Sequence, residues 1–421
     1  MKIIGIIPAR YGSTRFPGKP LAIIDGKPMI QRVYEQAKKA IENVWIATDN
    51  ERIASVAEGF GGKVFQTGEC ATGTERCAIV ARELLLAADD IVINIQGDEP
   101  LIDPQAIGDL IDAMKEGVEI ATLIGGEETS SNLNYVKVLV SPFSKNATLF
   151  SRTWIAGYVN YRHIGVYAYR VETLLMLSQF SNTDLEQLAW LDAECRIKCV
   201  QTPYKSISVD TPEDVIAVEQ KIIRNQVAEI LMAERQAIIN IPVSNAYAEA
   251  ISIIYNRVHK QRGKLITSGI GKAGQVAHDI ATTFSSTGTP AVFLHPSEAQ
   301  HGDLGILQPN DVMLLITNSG ETREIHELYE LTKSLYENIP VIVITSHPEI
   351  VDMKKVNVCI STGKPKEVCP FGLTPTTSTT VMGVIGDALV VLMMKRIGFT
   401  KEEYAKRHHG GYIGKKLNGN T

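Results

Sequence analysis

The residues able to do chemistry fall into a few short stretches. The first is Pro8-Ala9-Arg10-Tyr11-Gly12-Ser13-Thr14-Arg15-Phe16-Pro17-Gly18-Lys19-Pro20. Its glycines and prolines impose an irregular backbone, and Arg10, Arg15 and Lys19 bring three cations onto one loop. The loop follows an apolar segment that reads as a strand. Loops at strand ends are where open α/β sheets bind ligands, and backbone donors with fixed positive charge suit a polyphosphate. A Walker A loop is nearly spelled, but a proline stands in place of the metal-binding hydroxyl and there is one residue too many. Asp98 ends the apolar run Ile91-Val92-Ile93-Asn94-Ile95-Gln96-Gly97-Asp98. There a Mg²⁺ shared between carboxylate and phosphate oxygens would sit. Asp210 is a second acid at a strand-to-helix junction, open between metal ligand and helix cap. Thr72-Gly73-Thr74-Glu75-Arg76 adds a small-residue turn before a helix.

The second half holds a different set. Lys264 to Gly274 reads as strand, glycine turn and helix, with Gly269, Gly271 and Gly274 in GxGxxG spacing. The acid that a dinucleotide fold needs ~20 residues on is missing. Thr289 and Pro290 stand there, which argues against NAD. Thr317-Asn318-Ser319-Gly320-Glu321-Thr322 and Thr374-Pro375-Thr376-Thr377-Ser378-Thr379-Thr380 are hydroxyl-rich turns. Each could hold one phosphate group or simply cap a helix. His295, Glu298, His301, Asp303, Glu367, His408 and His409 are the titratable candidates, and a lone histidine among them is more often structural.

These residues need a scaffold. Apolar β-rich runs at Lys2–Pro8, Val44–Thr48, Ile91–Gln96, Glu119–Ile124, Val136–Val140 and Gly165–Tyr169 alternate with helical stretches. A second series runs Lys264–Ser268, Ala291–Leu294, Val312–Thr317, Val341–Thr345 and Val356–Ile360. The alternation predicts α/β folding with largely parallel sheets. One long helical stretch, Pro212 to Asn240, separates the two series, so the spacing predicts two domains, 1–224 and 225–421. With 44% hydrophobic and 21% charged residues the chain is ordinary globular protein. Its 42 cations against 47 acids give a net charge of −5, which provides no basic field for nucleic acid. The six cysteines are scattered without a CxxC, as in a reduced cytoplasmic protein. The N-terminus carries no secretory pattern. The apolar run Met382–Met394, broken by Asp387, is too short for a ~20-residue span, so no membrane insertion is expected.

Six stretches of the first half, Pro8–Leu21, Thr72–Arg76, Asn94–Ile102, Tyr135–Val138, Arg162–Arg170 and Val209–Asp214, resemble the 3-deoxy-D-manno-octulosonate (Kdo) cytidylyltransferases in order and spacing. The resemblance implies a Rossmann-like nucleotidyltransferase domain with a mixed, mostly parallel sheet. It implies CTP and Kdo as substrates, CMP-Kdo and pyrophosphate as products, and Mg²⁺ as cofactor. Pro8, Arg10, Ser13, Arg15 and Lys19 fall on its triphosphate positions, and Asp98 and Asp210 on its Mg²⁺ positions. Arg76, Gln96, Arg162, His163, Tyr167, Glu186 and Gln187 fall on its nucleotide and sugar pockets. The chain departs from the family where Phe150-Ser151-Arg152 is followed by Arg162-His163 after only nine residues, and again before Leu185-Glu186-Gln187-Leu188. A related acidic sugar therefore stays open as substrate.

From about residue 222 the chain resembles sugar isomerase (SIS) domains, and among them D-arabinose-5-phosphate isomerases. His-Pro-Ser-Glu-Ala-Gln-His-Gly-Asp-Leu-Gly at 295–305 is the most diagnostic stretch. This implies a five-stranded parallel sheet flanked by helices, and interconversion of two pentose 5-phosphates, D-ribulose and D-arabinose 5-phosphate, with no cofactor. Lys272, His301, Glu321, Glu367 and His408 fall on the family's functional positions. Ser268, Gly269, Ser319, Thr376, Thr377, Ser378 and Thr379 fall at the sugar-phosphate site. Such an isomerisation needs a base, a proton route and a cation near the enediolate. Glu367 is the expected carbon base, with His301 or His408 for ring opening or oxygen proton transfer. In the family the tail histidine enters a neighbouring subunit, which implies a homo-oligomer. The combined expectation is a bifunctional cytoplasmic enzyme of Kdo, hence lipopolysaccharide or capsule, biosynthesis. The alternative is a cytidylyltransferase for another acidic sugar with the SIS half as a sugar-phosphate sensor.

Overall fold

The computed structural model describes residues 1–408 apart from 13–14, 131, 134, 181–184, 206 and 353–354. The chain forms two compact units, Met1–Asn225 and Gln226–Thr421.

The first unit is built on a mixed sheet. Its main order is Ile197–Gln201, Ile120–Glu127, Tyr161–Arg170, Ile91–Asn94, Ile3–Ala9, Asn43–Thr48, Lys63–Gln66. The central strand Ile3–Ala9 pairs in parallel with a neighbour on each side. Helices cover both faces, so its sequence is apolar throughout rather than alternating. Ile7 packs into one layer with Ile30, Val33 and Leu110, while Ile6 packs into the other with Cys77, Val80 and Tyr169. Tyr161–Arg170 runs antiparallel to Ile91–Asn94, with Tyr167 opposite Asn94 and Arg170 opposite Ile91. This reversal sends Arg162, His163 and Gly165 past Asn94, toward the edge where Gln96 and Asp98 lie.

The second unit has a wholly parallel five-stranded sheet, ordered Ala291–Phe293, Leu265–Gly269, Val312–Ile316, Val341–Thr345, Val358–Ser361. Val312–Ile316 and Val341–Thr345 are buried along their whole length. The first strand of the series lies between the second and the third, so the winding reverses beside it. The crevice at such a reversal is the usual ligand position in open α/β sheets.

Besides the short hairpin Ile23–Ile24 and Lys27–Pro28, three strands of the first unit's main sheet escape the sequence pattern: Lys63–Gln66, Ala147–Ser151 and Ile197–Gln201. All three lie at sheet edges. An edge strand buries less and so carries a weaker apolar signal. The run around Met382–Met394 proves to be part of a helix of 21 residues, Thr377–Ile397, which is long and apolar enough to cross a membrane by length and composition. This corrects the expectation drawn from the apolar run alone, which is shorter than a membrane span. Val381, Met382, Ile385, Leu389, Val390 and Met393 of this helix lie in the second unit's core.

Candidate active sites

In the first unit, the loop after Ile3–Ala9 is closed on itself. Gly18 N–H donates to Tyr11 O at 3.0 Å. Gly18 has φ +70°, and an added Cβ would lie 3.3 Å from the Tyr11 ring, so glycine fits this position best. Lys19 follows directly. Its Nζ lies 2.7 Å from Asp98 Oδ2 and 3.4 Å from Asp210 Oδ1, and Arg15 Nη2 lies 3.0 Å from Asp210 Oδ1. Residues separated by up to 195 positions thus form one charged cluster.

Asp210 is not the helix cap. Asp214, in the first turn of the helix Pro212–Ile239, reaches back: its Oδ2 accepts the N–H groups of Asp210 (2.9 Å) and Thr211 (2.8 Å). This reach-back from the first turn resembles a capping box and leaves the Asp210 carboxylate facing the cations. Thr72 begins the helix Gly73–Glu83 similarly, accepting Glu75 N–H while Glu75 Oε2 accepts Ala71 N–H at 2.7 Å. That fixes Arg76, which is buried and bonded to Thr67 and to Asp49 Oδ2, the latter at 2.8 Å.

Two cavities open here. The first, of about 520 Å³, is lined by Pro8, Arg10, Arg15, Lys19, Arg76, Gln96, Asp98, Glu186 and Asp210 among others. The second, of about 370 Å³, is lined by Arg162, His163, Tyr167 and Gln187, and again by Arg15, Gln96, Asp98, Glu186 and Asp210. These five residues and Gly73 form a wall common to both. The structure therefore brings together every site residue anticipated for this half except Ser13, which lies outside the described residues.

Their states differ. Arg10 is exposed. Burial pushes the His163 imidazole down to about 3, so it is neutral near pH 7. Its Nε2 lies 3.0 Å from Thr122 Oγ1. Burial raises the Tyr167 phenol, which accepts a hydrogen bond from Gln187. Glu186 Oε2 accepts the Thr74 hydroxyl at 2.6 Å. Tyr135 and Arg152 also line the second cavity and were not anticipated. The Arg162 guanidinium stacks on Tyr135 at 3.9 Å. The shortened connection before Arg162 is closed by Asn160, whose side chain bonds Ile155 N, Ile155 O and Tyr158 O.

In the second unit, a cavity of about 220 Å³ lies at the winding reversal. It is lined by Ile270, Lys272, Thr317, Asn318, Ser319, Thr322, Ser378 and Thr379 among others. Of the anticipated residues it gathers Lys272, Ser319, Ser378 and Thr379. Asn318 and Thr322 also line it; the sequence marks their hydroxyl-rich turn but not these two side chains as ligands.

The other anticipated residues do not line this cavity. Ser268 is buried and donates its hydroxyl to Leu294 O at 2.6 Å. Gly269 and Gly274 let strand and helix touch: a Cβ on Gly269 would lie 2.8 Å from the Ala273 carbonyl, and one on Gly274 would lie 2.6 Å from Gly269 O. At Gly269 and Gly274 the glycine spacing therefore records close packing, while Gly271 takes a left-handed φ of +60°. Thr377 donates its hydroxyl to Glu234 Oε1 at 2.8 Å. Glu367 Oε2 accepts Thr376 N–H (2.7 Å), Thr376 Oγ1 (2.9 Å) and Ser378 N–H (3.3 Å). Burial opposes charge on Glu367, but the bonds from Ser378 and Thr376 outweigh it and hold the carboxyl below its ordinary range. Glu321 and His301 are exposed. His408 stacks on Tyr404 at 3.8 Å and bonds its carbonyl. His409 lies outside the described residues.

The fold and the two clusters define an α/β nucleotidyltransferase unit followed by a SIS unit. The family model for cytidylyltransferase matches residues 4–209, and that for the SIS domain matches residues 258–392. An 8-amino-3,8-dideoxy-manno-octulosonate cytidylyltransferase of Shewanella halifaxensis is 43% identical over 243 residues, covering 53% of this chain and 99% of the relative. A 3-deoxy-manno-octulosonate cytidylyltransferase of Parabacteroides distasonis is 40% identical over 242 residues, covering 51% and 96%. A solved Bacteroides fragilis structure, a candidate phosphosugar isomerase involved in capsule formation, shares 60% identity and covers 45% of this chain and 99% of its own, with a TM-score of 0.44. The chain belongs to the cytidylyltransferase family in its first half and carries a SIS domain in its second. It is an enzyme of the nucleotidyltransferase class.

Proposed function

We propose that the first unit transfers CMP from CTP to Kdo, releasing pyrophosphate, and that the second interconverts D-ribulose 5-phosphate and D-arabinose 5-phosphate. The observation that carries the first part is the wall common to the two cavities. A nucleotide in one and an acidic sugar in the other would meet at Arg15, Asp98 and Asp210. The sugar's anomeric hydroxyl attacks the α-phosphorus as the bond to pyrophosphate breaks. Positioning and charge neutralisation, more than covalent chemistry, lower such a barrier. Arg10, Arg15 and Lys19 supply positive charge for the triphosphate, and Arg162 for the sugar carboxylate.

Asp98 and Asp210 would hold Mg²⁺. Two converging carboxylates fit that ion, which is usually held by one or two carboxylates with substrate phosphates completing the shell. Among the described residues no group of three or more His, Cys, Asp or Glu converges as an all-protein metal cage. Bound Mg²⁺ supplies further neutralisation at the phosphate oxygens.

In the second unit Lys272, Ser319, Ser378 and Thr379 present a cation and hydroxyls suited to a sugar phosphate. The bonds on Glu367 keep it ionised near neutral pH, the form a base needs. His408 does not line its own chain's cavity; in this reading it serves the site of a neighbouring subunit in a homo-oligomer. Six free cysteines fit the reducing cytoplasm.

Two assays test the proposal. CTP and Kdo should release pyrophosphate, and ribulose 5-phosphate should yield arabinose 5-phosphate. Faster release with 8-amino-3,8-dideoxy-manno-octulosonate than with Kdo would reassign the sugar. A second reading makes the SIS unit a sensor, favoured by a cavity that His301, Glu321 and Glu367 do not line. Binding of arabinose 5-phosphate without conversion would decide for it.

A further inference from the structure

The isomerase cavity depends on the start of the helix Thr377–Ile397, because Ser378 and Thr379 form one of its sides. Thr377 sits just before them yet contributes nothing to the lining. Its hydroxyl is committed twice: it donates to Glu234 Oε1 at 2.8 Å and accepts Val368 N–H at 3.2 Å. Val368 follows Glu367, whose Oε2 is tied to Thr376 and Ser378. Residues 367–368 and 376–378 are thus seamed together, and Glu234 anchors the seam from the helix Pro212–Ile239.

Glu234 lies outside the residues 258–392 matched by the SIS model. Its Oε2 is buried and has no hydrogen-bond partner among the described residues. Placing a carboxylate oxygen so is costly, and an apolar side chain would fill the position at less cost. What the carboxylate adds is a charge-assisted bond to one hydroxyl, stronger than a neutral one.

We propose that Glu234 is a positioning residue of the isomerase site, holding Thr377 so that Ser378 and Thr379 face the sugar phosphate. The inference rests on the isomerase reading above. It also reassigns Thr377 from substrate ligand to the partner of Glu234.

The test is steady-state isomerisation of D-ribulose 5-phosphate by the full chain carrying E234L, T377V, both, or E234Q. Each of the first two should raise KM about tenfold, with kcat within about threefold. The double variant should be no worse than T377V alone, because the bond between Thr377 and Glu234 is the one that both substitutions remove. E234Q keeps an oxygen acceptor and should restore KM to within about twofold of wild type. If E234L does not fold, T377V breaks the bond from its other end. Unchanged KM in a folded E234L or T377V, or effects that multiply in the double variant, would overturn the inference. So would a fall in kcat alone. A wild-type chain that binds D-arabinose 5-phosphate by calorimetry without converting it would refute the isomerase reading only, and the same comparison would then be made in Kd. A chain that neither binds nor converts it would refute both.

Discussion

Replacing Lys19 with Met tests the charged cluster from its centre. The ammonium stands 2.7 Å from one carboxylate and 3.4 Å from the other, and its side chain is only 14% exposed. At an effective dielectric of about 20, these separations correspond to gross attractions of about 6 and 5 kcal/mol. Desolvation of the three groups removes much of that. Truncating one partner of a desolvated, hydrogen-bonded ion pair typically costs about 2–5 kcal/mol. In K19M, Asp98 and Asp210 lose their common cation and, on the proposed function, the triphosphate loses a counter-charge. We expect kcat/KM for pyrophosphate release to fall by a factor of about 10²–10³, or about 3–4 kcal/mol. R10A is the comparison. Arg10 is exposed, so its loss should raise KM for CTP with a smaller effect on kcat. The assay is pyrophosphate release at saturating Kdo with CTP varied, alongside isomerisation by the same preparation. A folded K19M within threefold of wild type, or an equal fall in both activities, would refute the argument.

Other consequences follow from single residues. His163 is held near 3 by burial, against about 6.5 when unfolded, so below pH 6.5 the unfolded chain takes up a proton that the folded chain refuses. Its contribution to stability is present above pH 6.5 and is lost as pH falls toward 3. Between pH 6.5 and 5 wild type should lose about 2 kcal/mol more than H163Q in urea unfolding of the first unit; parallel curves would contradict the burial. Gly269→Ala drives a methyl group into the Ala273 carbonyl and should cost about 3 kcal/mol, lowering the second unit's melting transition by roughly 6–12 °C. A shift under 2 °C would show that strand and helix are not in close contact. Hydrogen bonds from Thr374 and Leu373, against a smaller opposing burial, bring the Cys369 thiol down to about 7. The other five cysteines are pushed up by burial. Iodoacetamide at pH 7.5 should modify Cys369 first by mass spectrometry, with isomerisation lost in step and CMP transfer kept. Modification of Cys77 or Cys199 first would contradict this.

The two sites were legible in the sequence to different degrees. In the first half, ligands are carried on turns right after buried strands, and both the turns and the strands have strong signals. Asp98 and the cationic loop could be read directly, and Gln96 came with the family resemblance. What joins them to Arg162 and His163 is the antiparallel course of Tyr161–Arg170, a pairing that no local pattern encodes. In the second half the hydroxyl-rich turns were visible, but not where each hydroxyl goes. Ser268 satisfies a carbonyl in the core and Thr377 an acid from a distant helix. Serine and threonine look alike in sequence whether they face a ligand or close a buried hydrogen bond. GxGxxG misleads for a similar reason, since close packing and phosphate approach both demand glycine. Glu234 gave no signal because its neighbours in sequence do not share its role.

The proposed function gives one chain two separate chemistries. The most direct measurement follows both in one tube by ³¹P NMR, with CTP, Kdo, Mg²⁺ and D-ribulose 5-phosphate, for wild type and Asp98→Ala. Wild type should consume CTP to pyrophosphate and CMP-Kdo while arabinose 5-phosphate accumulates. The variant should stop the first and leave the second at its wild-type rate. A wild type that releases no pyrophosphate, or a folded variant that loses both conversions, would contradict the account.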